Sequence, residues 1–231
     1  MPRKPRMYLA GIPFHVIQRG NNRNDCFYAE KDYSIYLDCL RDACYRYRVA
    51  VHAYVLMTNH VHLLLTPENS DGISRVMQSL GRRFVQCVNI RYGRTGTLWE
   101  GRHKGSAVDS ERYFLTCMRY IELNPVRAGI VGHPAGYRWS SYRANAMSGT
   151  DALITPHDVY LSMGCDPADR LAAYHRLFEQ HIHNDDLERI RKAIQFCMPL
   201  GDQQFERRIE VLLGKSPGYA GRRRPSDIGI V

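Results

Sequence analysis

Thr58-Asn59-His60-Val61-His62-Leu63-Leu64-Leu65 is a polar turn that leads into an apolar run with two histidines at its start. Side chains alternate between the two faces of a β-strand, so His60 and His62 point the same way and Val61 points the other way. Their Cα atoms would lie roughly 6.6 Å apart, a spacing at which two imidazoles can close on one metal ion. On this pair alone, two half-exposed strand histidines that face solvent remain the alternative.

The segments around this stretch predict an α+β fold. Apolar periodicity indicates strands within residues 8–20, 49–57, 60–66 and 98–108, and helices over 30–48, 73–92 and 110–124. The two middle strands meet at Asn59 and are typical of an antiparallel hairpin. The order β-α-β-β-α-β-α indicates a ferredoxin-like antiparallel sheet, which we expect helices to cover on one face.

The sequence pattern changes near residue 150, after which only short helical segments are predicted. We predict a main domain over 1–148 and a small helical appendage over 149–231, with short helices at 166–178, 185–198 and 203–213. The appendage ends in a basic tail that contains Arg222-Arg223-Arg224. The tail either contacts phosphates or has no ordered structure, and the sequence does not separate these two readings.

Composition points to a polyanionic partner. The chain has 231 residues, a formal net charge of +9 and a pI of about 9.3, and 44% of it is hydrophobic. A length and apolar content of this kind allow one or two domains with a proper core. A protein this basic usually meets nucleic acid, although charge that serves solubility alone is the simpler alternative.

The cysteines and the apolar runs predict a cytoplasmic protein. Seven scattered cysteines contain no C-x-x-C pair, which indicates reduced thiols rather than a disulfide framework. We find neither a signal-peptide pattern nor an apolar run of membrane-spanning length.

Candidate catalytic residues lie in a second motif, which is Arg119-Tyr120-Ile121-Glu122-Leu123-Asn124-Pro125-Val126-Arg127-Ala128-Gly129. Tyr120 and Asn124 are four residues apart and share one helix face. A tyrosine hydroxyl, with an ordinary pKa of about 10, attacks phosphorus only when the phosphate is neutralised and the phenol proton is accepted. A divalent ion gives that neutralisation, and His60, His62 and the amide oxygen of Asn124 form a mixed donor set that suits Mg²⁺ or Mn²⁺.

Each of these roles has an alternative. Most helical tyrosines only pack, and Tyr113 is a second choice as the nucleophile. Glu122 is a harder ligand than Asn124, but it lies about 200° around the helix from Tyr120 and should point away from the site. Pro125 can end the helix and rotate Asn124 out of line.

A basic surface is predicted around the second long helix and the strand that follows it. Its members are Arg82, Arg83, Arg91, Arg94, Arg102 and Lys104, with Tyr92 and Trp99 between them. Cations with interleaved aromatic rings are typical of surfaces that bind single-stranded or hairpin DNA. A solvated helix face beside core aromatics is the alternative for any single residue.

The His-hydrophobe-His strand, followed by a helix with Tyr-Ile-Glu-Leu-Asn-Pro-Val-Arg-Ala, resembles the single-tyrosine HUH transposases. Within them it resembles the REP-associated tyrosine transposases of bacteria. The resemblance covers residues 8–145, including Gln18-Arg19-Gly20-Asn21-Asn22-Arg23 and Trp139-Ser140-Ser141-Tyr142. Many mobile-element relatives have glutamine four residues after the tyrosine, whereas Asn124 stands there in this chain, as in the REP-associated branch.

The resemblance implies an HUH nuclease fold over residues 1–148. It also implies metal-dependent cleavage and transfer of single-stranded DNA beside a hairpin, through a 5′-phosphotyrosine. His60 and His62 would then hold the metal, Tyr120 would be the nucleophile, and palindromic repeat elements would be the DNA partner. The sequence leaves open whether the chain is a monomer or a homodimer.

Two other functions stay open. A domesticated relative would bind hairpin DNA with little or no cleavage. A phosphodiesterase would use water as the nucleophile and keep Tyr120 for structure. Trapping a covalent protein–DNA adduct separates these readings from the strand transferase.

Overall fold

A four-stranded antiparallel sheet with the order β2-β3-β1-β4 organises the chain. The computed structural model describes residues 8–214 and 216–218. The strands are β1 (Phe14–Arg19), β2 (Val49–Met57), β3 (His60–Pro67) and β4 (Lys104–Ala107). The longer helices are α1 (Glu30–Tyr47), α2 (Gly72–Arg91), α3 (Phe114–Glu122), α7 (Pro167–Arg176), α8 (Asn184–Phe196) and α9 (Gln203–Leu213). The short helices are α4 (Asn124–Arg127), α5 (Tyr142–Ala146) and α6 (Asp158–Leu161), and 3-10 turns cover Asn21–Arg23, Pro134–Gly136 and Leu177–Glu179.

The predicted hairpin lies at the edge of this sheet. β2 and β3 pair antiparallel around Thr58 and Asn59, with Met57 opposite His60. β3 then pairs with β1, where Arg19 lies opposite His60 and Ile17 lies opposite His62. The start of β3 is therefore flanked by β2 on one side and by the end of β1 on the other, which fixes the two histidines on a rigid element.

The sheet is covered on both faces. One core joins α1 and α2 to the side chains of Val16 and Leu63. The other core joins α3 and the C-terminal helices to Leu64 on the opposite face. The α+β class and the order of the first seven elements are confirmed, while the expectation of helices on one face alone is wrong. Short amphipathic helices give no sequence signal for the surface on which they pack.

The C-terminal helices pack into these same cores. Tyr174 and Ile190 are buried against α3, and Ile209 is buried in the core of α1 and α2. The segment after α8 joins the end of β4, because the N–H of Leu200 donates to the carbonyl of Ala107 at 2.7 Å. The domain boundary after residue 148 stays a prediction, and the tail arginines 222–224 lie outside the described residues.

The described residues contain no disulfide bond and no membrane-spanning helix. All seven cysteines are free, and four of them, Cys26, Cys39, Cys44 and Cys117, are buried. Among the residues that the structure describes, no helix combines the length and the apolar character needed to cross a membrane.

Candidate active site

His60 and His62 present their rings on the same face of β3, as strand alternation predicts. Their ring centroids are 5.1 Å apart. His62 is almost fully buried, and His60 is half-buried at the end of the strand. Both rings lie on the side of the sheet that α3 covers, because His62 alternates with Val61 and Leu63, which belong to the opposite core.

Tyr120 on α3 lies against this pair. Its ring centroid is 5.9 Å from that of His62. The guanidinium carbon of Arg127 lies 4.7 Å from the centroid of the same phenol ring. A cation over a phenol ring interacts favourably with it. The structure therefore brings together two imidazoles, one phenol and one guanidinium that come from two distant motifs.

These side chains open onto a cavity of about 660 Å³. Its lining includes His60, His62, Tyr120 and Asn124. Five cationic side chains also line it, namely Arg19, Arg23, Arg102, Lys104 and Arg191, together with the carboxylate of Glu100. Such an excess of positive charge concentrates an anionic ligand in the cavity.

His15 is a component that the sequence analysis missed. It is buried on β1, and its Nε2 lies 2.8 Å from Nδ1 of His62, so the two nitrogen atoms share one proton in a hydrogen bond. With that proton on His62 Nδ1, the other nitrogen of His62 keeps a lone pair. A lone strand histidine gives no signal of this role, because the pairing of β1 with β3 joins residues far apart in sequence.

Asn59 determines which ring nitrogen of His60 carries the proton. Its amide Nδ2 donates to the carbonyl of Arg23 at 3.0 Å, which turns its Oδ1 toward His60. That oxygen lies 2.6 Å from Nδ1 of His60 and can only accept, so Nδ1 carries the proton and Nε2 keeps the lone pair. The hydrogen bond between Asn59 and Arg23 thus joins the Asn59–His62 motif to the Gln18–Arg23 motif.

Gly20 lets the chain turn at this point. A Cβ atom there would meet the carbonyl oxygen of Asn24 at 2.1 Å and the sulfur of Cys26 at 2.7 Å. The N–H of Gly20 donates to the carbonyl of Asn59 at 2.8 Å. A glycine is therefore required in this motif because Asn24 and Cys26 approach its backbone too closely for a side chain.

Burial keeps the histidines neutral. Loss of solvent lowers the pKa of His15 to about 3 and that of His60 to about 4. Burial also holds the pKa of His62 well below its ordinary value, with the neighbouring His15 adding to the effect. A neutral imidazole with one nitrogen hydrogen-bonded and the other lone pair available is the form that binds metals.

Asn124 lines the cavity although Pro125 follows it. The backbone stays helical through Leu123 into α4. Pro125 has no N–H for the carbonyl of Ile121, and the side-chain Nδ2 of Asn124 donates there at 3.2 Å and to the carbonyl of Tyr120 at 2.8 Å. With its nitrogen engaged, the amide oxygen is the atom that remains for a cation.

The donor set fits a divalent ion in part. Two imidazole nitrogens and one amide oxygen surround the cavity, and open positions remain for phosphate or water. In the described part of the chain, no cluster of three or more His, Cys, Asp or Glu side chains is arranged to hold a metal. The assignment of His60, His62 and Asn124 as ligands therefore stays a prediction.

Glu122 and Tyr113 lie away from the cavity. The buried carboxylate of Glu122 accepts hydrogen bonds from Ser141 at 2.6 Å, from Asn145 at 2.8 Å and from Tyr174 at 2.8 Å. Burial raises its pKa to about 7, while these three donors oppose the rise. Tyr113 is buried, and its hydroxyl accepts from Arg189 at 2.9 Å.

The predicted basic surface is divided by the fold. Arg102 and Lys104 line the cavity, whereas Arg82, Arg83, Arg91 and Arg94 do not. α2 packs on the face of the sheet opposite Tyr120. Two of its arginines lie near α1 carboxylates: Arg83 is 3.0 Å from Asp42, and Arg91 is 3.8 Å from Asp32. Arg19, Arg23 and Arg191 were missed, since tertiary packing alone places them at the cavity.

Comparison with known proteins gives three findings. The family model described as "Transposase IS200 like" matches residues 9–124. A REP-associated tyrosine transposase of Escherichia coli (strain K12) is 22% identical over 110 residues, which is 47% of this chain and 64% of that relative. The match thus spans just under two thirds of the relative's length.

A solved structure of a REP-associated tyrosine transposase bound to a REP hairpin shares the fold. It superimposes with a TM-score of 0.55 at 19% sequence identity, over 69% of this chain and 93% of that one. At that identity, the likeness describes the fold alone.

Proposed function

Because the chain belongs to the IS200-like transposase family, we propose that it cleaves and transfers single-stranded DNA beside a hairpin, with Tyr120 as the nucleophile. The family resemblance drawn from the His60-Val61-His62 and Tyr120–Asn124 motifs is confirmed by this membership. The DNA partner that we propose is a hairpin from palindromic repeat elements, the class of ligand named for the solved relative.

The observation that carries this proposal is the convergence of Tyr120 with His60 and His62 in one cationic cavity. The phenol and His62 are in ring contact at 5.9 Å between centroids. A structural tyrosine of the second core would need neither neutral histidines nor five cationic neighbours in a cavity. A phosphodiester strand, in contrast, needs both a nucleophile and positive charge around the scissile phosphate.

The proposed step conserves the phosphodiester energy. The oxygen of Tyr120 forms a bond to phosphorus as the bond from phosphorus to the 3′ oxygen breaks. The phenol loses one proton and the departing 3′ oxygen gains one, so the products are a 5′-phosphotyrosine and a free 3′-hydroxyl. A 3′-hydroxyl of a second strand then attacks the phosphorus of the phosphotyrosine. A new phosphodiester bond forms, the bond from phosphorus to the tyrosine oxygen breaks, and the proton lost by the hydroxyl restores the phenol.

Each side chain has a part in this step. The guanidinium of Arg127 lies over the ring of Tyr120 and helps to hold the phenol in place. Arg19, Arg23, Arg102 and Lys104 bind phosphates of the strand. His60 and His62, with the amide oxygen of Asn124, would hold Mg²⁺ or Mn²⁺, and a bound divalent ion supplies Lewis acidity to the scissile phosphate.

The test removes one oxygen. Tyr120→Phe should abolish both strand cleavage and the covalent protein–DNA adduct on denaturing gels, while binding of hairpin-containing single strands changes less than about twofold. Tyr113→Phe is the matched control, because it removes a hydroxyl bonded to Arg189 outside the cavity and should keep the adduct.

Two results would contradict the proposal. Cleavage by Tyr120→Phe at the normal rate, with release of a free 5′-phosphate, would make water the nucleophile. Tight hairpin binding by the wild type without any cleavage in the presence of Mg²⁺ or Mn²⁺ would make the chain a binding protein.

A further inference from the structure

The cavity that contains Tyr120 has a wall from the C-terminal part of the chain. Arg191, Ile194 and Gln195 of α8 line it, although the family match ends at residue 124. Positions i, i+3 and i+4 lie on one face of a helix, so α8 turns a single face toward the cavity. The C-terminal part is therefore in contact with the proposed chemistry and is more than an appendage.

We propose that Arg191 binds a backbone phosphate of the single strand that enters this cavity, so that α8 is part of the DNA-binding site. The inference rests on the proposed function and names a binding residue of the same site. It assigns to the C-terminal helices a role that neither the family motifs nor the sequence pattern indicate.

α8 is held firmly enough for this role. The ammonium of Lys104 on β4 donates to the carbonyl of Gln195 at 3.2 Å. After α8 ends, the hydroxyl of Ser106 donates to the carbonyl of Met198. The N–H of Asp109 donates to the carbonyl of Leu200 at 2.8 Å. These bonds involve β4 and the residues just after it. They fix the position of α8 relative to the strand whose Lys104 also lines the cavity.

Arg191 has the chemistry that a phosphate requires. Its side chain is exposed to the cavity, and within residues 8–214 no carboxylate lies within ion-pair distance of it. The neighbouring Lys192 differs, since it pairs with Glu188 at 3.5 Å and lines a different cavity beside Met198 and Glu206. Among the described residues, Arg191 therefore has no acidic partner, and four other cationic side chains line the same cavity. Such a guanidinium favours an anionic ligand over a neutral one.

The single strand is the occupant that fits this surface. The cavity is large enough for one or two nucleotide units, and its cations lie on both of its sides, with Arg19, Arg23 and Arg102 from the sheet and its connections and Arg191 from α8. A phosphodiester backbone presents a row of single negative charges, which such a two-sided arrangement can grip.

The experiment compares two adjacent charges on one helix. Full-length Arg191→Gln and Lys192→Gln each lose one positive charge, and both should unfold at a temperature close to that of the wild type. The probe is a fluorescein-labelled single strand with a short hairpin and unpaired arms, titrated in Mg²⁺-free buffer from 50 to 300 mM salt. Over this roughly sixfold range of salt concentration, the release of counterions governs the change in affinity.

Arg191→Gln should weaken binding about three- to tenfold at low salt and reduce the slope of log K against log salt by about 0.7, the value for one lost contact with a single strand. Lys192→Gln should change affinity less than about twofold, and Arg191→Lys should restore most of the loss. Equal losses in both glutamine variants would mean that only net charge matters, which overturns the proposal. Unchanged binding of Arg191→Gln would overturn it as well.

The assay separates this inference from the proposed function. Binding is measured without cleavage. A wild type that binds here but forms no adduct in a separate assay with Mg²⁺ or Mn²⁺ defeats the nuclease, while the Arg191 comparison still decides the role of α8. A wild type that binds no DNA defeats both, whereas normal cleavage with unchanged Arg191→Gln binding defeats the inference alone.

Discussion

Asn59 links two motifs that the sequence shows as separate. Its carboxamide donates to Arg23 and accepts from His60, so it sets which nitrogen of His60 is protonated. Partners of this kind around metal-binding histidines typically change metal affinity by 10- to 100-fold when they are removed.

Asn59→Ala should therefore weaken Mn²⁺ binding by about tenfold or more. The imidazole of His60 would lose its fixed tautomer and part of its orientation. Isothermal titration of the full chain with Mn²⁺ measures the change. Thr58→Ala is the control, because Thr58 is exposed and its backbone carbonyl, which accepts from Cys26 and Phe27, stays in place. Equal Mn²⁺ affinity for the wild type and Asn59→Ala would exclude this orienting role.

Burial of His52 should make the stability of the protein depend on pH. Its Nδ1 lies 2.7 Å from the carbonyl of Thr155 and its Nε2 lies 2.8 Å from the hydroxyl of Thr66, which fixes a neutral ring. Burial lowers its pKa from 6.5 to about 4. The unfolded chain then binds more protons than the folded chain between these two values, so stability is full above pH 6.5 and falls as the pH drops toward 4.

For this one group, the loss between pH 7.5 and pH 5 is about 2 kcal/mol. His52→Gln, which keeps a donor and an acceptor, should make the free energy of unfolding less dependent on pH by that amount. Urea unfolding at the two pH values measures it. Parallel pH curves for the variant and the wild type would show that His52 does not titrate in this way.

The sequence predicts single residues when their partners are close in the chain. His60 and His62 share a strand face, and Tyr120 and Asn124 share a helix face, so spacing alone brings each pair together. His15, Arg23 and Arg191 needed the pairing of β1 with β3 and the packing of α8 on β4, which depend on tertiary contacts.

At the scale of elements, Glu122 connects three helices. It belongs to α3, and its carboxylate accepts from Ser141 and Asn145 around α5 and from Tyr174 on α7. The spacing argument that turns Glu122 away from Tyr120 agrees with this position. It left these partners undetected because α5 and α7 are short and lie far along the chain.

At a pH above the raised pKa of Glu122, Tyr174→Phe should lower the free energy of unfolding by about 1.5–3 kcal/mol, since its hydroxyl then donates to a charged, buried carboxylate. Tyr160→Phe should cost about 1 kcal/mol, because the hydroxyl of Tyr160 donates to the neutral carbonyl of Asn145 at 2.7 Å. The two tyrosines are buried 5.4 Å apart in one core, so urea unfolding compares the acceptors in matched surroundings. The reverse order of the two losses would contradict the role of Glu122 as the stronger acceptor.

Whole elements were predicted better than their packing. The hairpin of β2 and β3 and the helices α1 and α2 follow from periodicity. The covering of the second face by α3 and α8 does not, because amphipathicity tells which side of a helix is apolar and leaves its partner unspecified. The same limit applies to α2, whose arginines meet the carboxylates of α1 at Asp42 and Asp32.

At the scale of the molecule, a net charge of +9 predicts salt-sensitive DNA binding without saying which surface binds. The fold separates two candidate surfaces, the cavity with Arg102 and Lys104 and the outer side of α2 with Arg82 and Arg83. Arg83 is already paired with Asp42, which offsets its charge toward an incoming strand.

Two double variants with the same loss of charge decide between the surfaces. Arg102→Gln with Lys104→Gln should weaken binding of a hairpin-containing single strand by at least tenfold and reduce the salt slope by about 1.4, the value for two lost contacts with a single strand. Arg82→Gln with Arg83→Gln should change the slope by less than about 0.4, because α2 packs on the face of the sheet opposite the cavity and exposed charges more than about 10 Å apart are largely screened. Fluorescence anisotropy at salt concentrations from about 50 to 300 mM measures both slopes. In this range the release of counterions governs how the affinity depends on salt. If the α2 pair flattens the slope and the cavity pair does not, DNA binds on the face of the sheet opposite Tyr120, and the cationic cavity is not where the strand enters.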